Sequence, residues 1–466
     1  MKFEGNNKSR VGLLAFIASL GGFLFGYDTA VISGTVGFVK EKFILTSMAE
    51  GWFVSSALVG CIIGVSFAGI MSDRVGRKPT LLLSALLFSI SAIGCSLIVS
   101  HTGLIAYRMI GGIGVGIASM VSPMYIAEIS PAKIRGRLVA LYQFAITIGI
   151  LSAYFVNAGL VELSQNSIFS EGSLFEKIIQ NEVWRSMFGG ELIPAGLFFM
   201  LLLLVPESPR WLYTKGLVTK AEAALKRLGR QDDGMADIRP NQAQSPAQEQ
   251  SIKTMIKSGF GIALLVGVVL GMLSQFSGIN AIIYYGPRIL EEAGISLSDA
   301  LGGQVIIGIV NVIFTIVAIW KVDKFGRRGL LIVGASGAFL AHLVIGGLFA
   351  GGITQGYLVL GFILFFIACF AFSYGPVTWI YTSEIYPTRF RGRALSIVTL
   401  MLWAANALVG QLVPWMLEHI TPAGTFWAFA VMCLPAIYLA VKVMPETKGK
   451  SLEEIEAFWI RKRINN

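Results

Sequence analysis

Long apolar runs separated by short polar connections make up most of the chain. Twelve runs approach or reach the ~20 residues that cross a bilayer as a helix. They fall at residues 11–36, 51–71, 80–99, 104–127, 138–160, 187–205, 260–285, 301–320, 330–351, 357–381, 394–417 and 425–443. The runs are continuous rather than alternating, which predicts spanning helices and not barrel strands. The seventh run ends on an unusual stretch, Ser274-Gln275-Phe276-Ser277-Gly278-Ile279-Asn280, followed by Tyr284 and Tyr285. On an ideal helix Gln275 and Asn280 point about 140° apart, at roughly 100° per residue. Both face one cavity only if the helix bends, and Gly278 is where bending is easiest. Buried amides need partners, and a hydroxylated ligand would supply them.

Composition narrows the class. Of 466 residues, 55% are hydrophobic and 14% charged, with mean hydropathy +0.71. A soluble domain carries about 25% charged residues, so a soluble α/β enzyme is excluded. The net charge of +10 does not imply nucleic acid, because basic cytoplasmic loops give the same sign. Basic clusters do sit on the even-numbered connections: Arg74, Arg77 and Lys78; Lys133, Arg135 and Arg137; Lys321, Lys324, Arg327 and Arg328; Arg389, Arg391 and Arg393. The odd-numbered connections carry acids such as Glu162, Glu171, Glu291, Glu292 and Asp299. Both termini are therefore expected in the cytoplasm of a multi-pass protein of the cell (inner) membrane. No cleavable signal stands out. Cys61, Cys95, Cys369 and Cys433 lie in apolar runs without metal-ligand spacing and are expected to behave as small hydrophobes.

The two halves repeat. Asp73-Arg74-Val75-Gly76-Arg77-Lys78 returns as Asp323-Lys324-Phe325-Gly326-Arg327-Arg328. Glu128 with Arg135-Gly136-Arg137 returns as Glu384 with Arg391-Gly392-Arg393, and Pro206-Glu207-Ser208 returns as Pro445-Glu446-Thr447. Three matched motifs in order indicate a duplicated six-span unit of the kind that builds alternating-access transporters, with substrate between the halves. The expected domains are an N-terminal bundle over 1–206, a cytoplasmic linker with short helices over 207–257, a C-terminal bundle over 258–444 and a cytoplasmic tail over 445–466. Residues 219–228 suit an amphipathic helix, and 231–249 a flexible connection.

These motifs resemble the sugar porter family of the major facilitator superfamily over essentially the whole chain. Asp28-Thr29-Ala30-Val31-Ile32-Ser33-Gly34 and Gly111-Gly112-Ile113-Gly114-Val115-Gly116 are most similar to bacterial xylose–proton symporters. The resemblance implies twelve helices in two pseudo-symmetric six-helix bundles. It implies a proton-coupled symporter importing a pentose or hexose, without enzyme chemistry, cofactor or metal. The partners would be a monosaccharide, a proton and the lipid bilayer, with the protein a monomer. A facilitative uniporter is the alternative; a membrane sugar sensor fits less well.

Three ionisable residues lie inside spans: Asp28, Arg108 and Glu191. Such groups are expensive there and usually functional. Asp28 lies about 18 residues, or ~27 Å, beyond Arg10, so the three fall in the outer half of the N-terminal bundle. An acid facing an arginine stays ionised, and one that loses that partner in apolar surroundings takes a proton. The resemblance assigns proton coupling to Asp28 and Arg108, assisted by Glu191; a static ion pair is the other reading. The glycine run at 111–116 lacks a preceding strand, so helix packing through Gly112-x-x-x-Gly116 is expected instead of a nucleotide loop.

The resemblance also implies a sugar site. It comprises Gln143 and Ile146 on span five, Ser274, Gln275 and Asn280 on span seven, Asn311 on span eight, and Gly375, Trp379 and Trp403 on spans ten and eleven, with Phe25 a candidate aromatic wall. Amides both donate and accept, which suits sugar hydroxyls. Indoles cover the C–H face of a pyranose. Ser274 replaces the first of two usual glutamines, and Leu402 stands where Gln or Asn usually precedes Trp403. Both changes are expected to shift substrate choice or weaken binding. For gating it implies Asp73, Arg77, Glu128, Arg135, Asp323, Arg327, Glu384 and Arg391 on the cytoplasmic side; the bend expected in span seven makes Tyr284 and Tyr285 candidate lid residues of an outer gate. His101, His342 and His419 have no evident partner in the sequence.

Overall fold

Each of the twelve apolar runs folds as a helix, the form that satisfies every backbone group within one segment in lipid. The structure, a computed structural model, describes residues 4–131, 134–166, 173, 176–230, 252–352, 355–450 and 452–464. The flexible connection expected at 231–249 lies outside the described residues. The spans are Arg10–Phe43, Ser47–Val75, Arg77–Leu97, His101–Ile129, Arg135–Asn166, Trp184–Leu204, Ile252–Glu292, Leu297–Lys321, Arg327–Ala350, Gly356–Glu384, Phe390–His419 and Thr421–Val443. No strand occurs among the described residues. The protein is an all-α, multi-pass membrane protein.

Two compact units divide the chain. The first comprises Met1–Ile44 and Ser56–Ser245, and the second Leu45–Ser55 and Pro246–Asn466. The first turns of span two thus belong with the second unit. Between spans six and seven the described part folds as two short helices, Pro209–Thr214 and Val218–Leu228. The first is capped by Ser208, whose Oγ accepts from the Trp211 N–H at 3.2 Å, with proline at the first helical turn. Val218–Leu228 buries Ala221, Ala224, Leu225 and Leu228 on one face, the spacing of an amphipathic helix.

Close packing in the first unit runs through glycines, as expected at Gly112 and Gly116. A methyl added to Gly112 would overlap the Ala57 carbonyl oxygen, and one on Gly116 the Cys61 carbonyl oxygen. Gly60 and Gly64 on span two meet the Met109 and Ile113 carbonyl oxygens in the same way. Spans two and four therefore approach backbone to backbone along a four-glycine seam, the small-xxx-small geometry of membrane helices. Gly112→Ala must push the spans apart, an overpacking cost of ~1–3 kcal/mol. It is expected to lower the melting temperature of the purified protein in detergent. Gly37→Ala, with no atom of the described residues within 4 Å of the new methyl, should leave it unchanged. Equal melting of the two variants would contradict the seam. The four cysteines are free and buried.

Candidate functional site

In the first unit, span one brings Asp28 against Arg108 of span four, both buried. Arg108 Nη1 donates to Asp28 Oδ1 at 2.7 Å. The guanidinium carbon stands 5.4 Å from the Phe188 ring centroid, a cation–π contact away from water. Gly111 lies beside the pair: a methyl there would press on Ser91 Oγ at 2.5 Å and stand at ordinary contact distance, 3.7 Å, from Asp28 Oδ1. Glu191 is buried where Trp184–Gly190 meets Leu192–Leu204, at a tight turn in which its N–H bonds the Phe188 carbonyl at 3.2 Å. It lies within electrostatic reach of both Asp28 and Arg108. Among the described residues, Arg108 Nε and Glu191 Oε1 have no hydrogen-bond partner. A strong pair with an unsatisfied donor and acceptor beside it has bonds to exchange when a proton arrives. Gln143 is half-buried, Ile146 and Ile150 are buried along the same span, and Phe25 is half-buried.

In the second unit, span seven breaks where the sequence suggested. Its segments Gly261–Phe276 and Ile279–Glu292 meet at Ser277 and Gly278, and Gly278 takes φ 88°. A methyl at Gly278 would also press on the Phe429 ring at 2.9 Å, so glycine is required twice over. The break removes the 140° divergence. Asn280 Nδ2 donates to Gln275 Oε1 at 2.6 Å, and Gln275 Nε2 donates to Ser274 Oγ at 2.9 Å. Ser274 Oγ in turn donates to the Gly271 carbonyl at 2.7 Å. The amides thus find partners in one another, where the sequence left a ligand as the missing partner. Each keeps unused donor and acceptor capacity.

The remaining expected residues are placed unevenly. Asn311 and Trp403 are buried, Gly375 is half-buried beside Phe370, and Trp379 is 42% exposed. Leu402 is buried on span eleven against span seven, 3.8 Å from a methyl built on Gly271. Tyr284 and Tyr285 are fully buried and tie span seven to span eleven. Tyr284 Oη donates to Asn406 Oδ1 at 3.0 Å and Tyr285 Oη to the Gly410 carbonyl at 2.6 Å. Beyond them Arg288 Nη1 meets buried Glu50 Oε1 at 2.6 Å. Gln411 accepts from Ser55 Oγ at 2.9 Å and donates to the Met48 carbonyl at 3.0 Å. All these residues belong to the second unit. Sequence reasoning missed Glu50, Arg288, Asn406 and Gln411; their signal was a polar group inside or beside an apolar run.

At the basic-loop end the repeat motifs build matching networks, one in each unit. Arg77 grips Glu128 through Nε and Nη2, at 3.0 and 2.9 Å, and Asp73 through Nη1 at 3.0 Å. Arg327 grips Glu384 at 3.2 and 2.8 Å, and Thr447 Oγ1 donates to Glu384 Oε2 at 2.6 Å. Glu128, expected near the first Arg-Gly-Arg group, is thus gripped by Arg77, and Glu384, expected near the second, by Arg327. Arg135 donates to the Ala127 and Ser130 carbonyls, and Arg391 to the Tyr386 carbonyl at 3.3 Å. The side chain of Asp323 lies outside the described residues.

Two further carboxylates cap helix starts. Glu207 accepts from the N–H groups of Arg77, Lys78 and Ser208, and Glu446 from those of Arg327, Arg328, Thr447 and Lys448. Both lie at helix N-termini, where the dipole favours an anion. Burial pushes Glu207 above the usual carboxylate range, against its backbone bonds. Burial acts the same way on Glu446, but its four backbone bonds prevail and hold it below that range. Glu446 therefore adds stability above its ordinary pKa and loses it as pH falls through its folded value, whereas Glu207 takes a proton earlier. His342 also departs from expectation: its Nε2 bonds the Ser277 carbonyl at 2.7 Å.

The profile of the family described as Sugar (and other) transporter matches residues 14–459. The arabinose-proton symporter of Bacillus subtilis (strain 168) is 40% identical over 451 residues, covering 96% of this chain and 95% of that protein. The D-xylose-proton symporter of Escherichia coli (strain K12) is 40% identical over 497 residues, covering 97% and 96%. Among solved structures, the xylose transporter XylE from E. coli in a partially occluded inward-open conformation superposes with TM-score 0.81 at 38% identity. That match covers 95% of this chain and 100% of the other.

Proposed function

We propose that this chain, which belongs to the sugar transporter family, is a proton-coupled symporter that imports a pentose or hexose by alternating access. The observation that carries the coupling is the buried Asp28–Arg108 pair at 2.7 Å, with Glu191 beside it. A transporter running sugar downhill has no need for three charged groups in apolar surroundings. When Asp28 takes a proton, Arg108 loses its counter-charge and turns to Glu191, which changes the relative stability of the two access states. Relatives named as arabinose- and D-xylose-proton symporters support the same reading.

The sugar is held without covalent chemistry. Gln143, Gln275, Asn280 and Asn311 bind its hydroxyls, Trp379 and Trp403 cover its apolar face, and Phe25, Ile146 and Gly375 shape the walls. Ser274 lines the same site and anchors Gln275, whose Nε2 donates to its Oγ. The chain sits in the cell membrane as a monomer with both termini in the cytoplasm. Residues 1–206 and 258–444 act as the two bundles, joined by 207–257. On the cytoplasmic side Asp73, Arg77, Glu128, Arg135, Asp323, Arg327, Glu384 and Arg391 hold the closed gate. Tyr284 and Tyr285 form the lid at the other end.

Proteoliposomes with and without a pH gradient, screened by counterflow against monosaccharides and polyols, test this. At least one pentose or hexose should exchange, and an uncoupler should abolish its accumulation. Transport of no sugar in the panel overturns the reading; exchange without uphill accumulation makes the protein a uniporter.

A further inference from the structure

The ninth span places His342 at the break in span seven. The ring is fully buried, and Nε2 lies 2.7 Å from the Ser277 carbonyl oxygen. A carbonyl only accepts, so the proton sits on Nε2. Ser277 follows the last residue of one helical segment and precedes Gly278, the N-cap of the next. Its carbonyl therefore belongs to the orphan groups of a helix end, here inside a membrane span. In such a span an unsatisfied backbone group is costly.

The contact is held from several sides. The His342 ring centroid lies 4.3 Å from that of Phe366, 5.7 Å from Phe426 and 5.8 Å from Phe429. Phe429 is also the ring that Gly278 packs against. Ser277 Oγ donates back to the Ser274 carbonyl at 2.6 Å, which locks the same turn from within. Gln275 and Asn280 flank this turn, and only its angle brings them within 2.6 Å of each other.

We propose that His342 is the positioning residue for the sugar-binding amides: its Nε2 proton holds the Ser277 carbonyl and thereby fixes the bend that joins Gln275 to Asn280. The assignment rests on the sugar-transport reading above. Nothing in it requires His342 to touch sugar or to change protonation. Its consequence is a selective one. Loss of the donor lets the turn relax, Gln275 and Asn280 separate, and sugar affinity falls while the translocation machinery in the first unit is untouched.

The test is counterflow in proteoliposomes with arabinose, D-xylose and galactose, each variant compared at equal amounts of reconstituted protein. His342→Phe keeps an aromatic ring and loses the donor. It is expected to raise KM about tenfold or more, the loss of one hydrogen bond to a buried group, with kcat within about twofold. His342→Gln carries an amide N–H to nearly the same point and is expected to return KM to within about threefold of wild type. A merely structural histidine predicts another pattern: less folded protein, with KM unchanged in His342→Phe, and that result overturns the proposal. Should His342→Phe not be recovered folded, His342→Leu, which also lacks the donor, is compared with His342→Gln. A KM raised about tenfold in His342→Leu but within about threefold of wild type in His342→Gln supports the proposal, and equal KM values in the two overturn it. Wild-type protein that carries none of the three sugars counts against the transport reading, not against the hinge contact.

Discussion

Asp28→Asn is expected to abolish sugar-dependent proton uptake while sugar exchange continues. The amide matches the carboxylate in shape, and its oxygen still accepts from Arg108 Nη1, which Asp28 Oδ1 engages at 2.7 Å. It has no site for a proton in the relevant pH range. Removing the charge leaves Arg108 buried opposite a neutral group, and breaking a buried pair outright costs ~3–5 kcal/mol. The retained hydrogen bond and the nearby Glu191 reduce that loss, so the folded protein should be recoverable. Counterflow needs no net proton movement and should survive. Alkalinisation of a weakly buffered medium on sugar addition should vanish, and the rate of downhill uptake should lose its pH dependence. Undiminished alkalinisation would transfer the coupling role elsewhere; loss of both activities in folded protein would make the pair a structural tie.

Gln275→Ala should raise KM by about tenfold to a hundredfold, the range for deleting a hydrogen-bonding partner of a buried hydroxyl. Gln275 stands in the middle of the chain from Ser274 to Asn280, so its loss removes one ligand contact and leaves Asn280 Nδ2 without its 2.6 Å acceptor. Asn280→Ala should act in the same direction. Because the two share a hydrogen bond, the double variant should lose less than the sum of the single changes. Strict additivity in log KM would show that the amides act independently and that their mutual bond is incidental. Ser274→Gln combined with Leu402→Gln addresses selectivity. It breaks the serine anchor and adds amides on both spans, and should reorder affinities across a sugar panel.

Much of this was legible from residue order. Twelve apolar runs become twelve spans because lipid leaves a single-chain segment few ways to satisfy its backbone. The bend at Gly278 was legible because two amides five residues apart cannot share a helix face. The Asp28–Arg108 contact was legible because an isolated charge in a span needs an opposite one. Other contacts left no local trace. Glu128 lies close in sequence to Arg135, yet Arg77 at the start of span three reaches it, since two long spans folded back on each other set that distance. His342 found a backbone carbonyl 65 residues away, and a carbonyl has no signature in sequence. The aromatic identity of Trp379 says nothing of its exposure, which follows from how span ten turns at Ser373.

The burial of every native thiol has a practical side. Cys61, Cys95, Cys369 and Cys433 are each at most 5% exposed, and a thiol shielded in this way reacts slowly with reagents confined to water. A single cysteine introduced at a loop position therefore reports alone, on an unmodified background. Fluorescent or spin-label pairs can be attached without first deleting four residues that fill helix contacts.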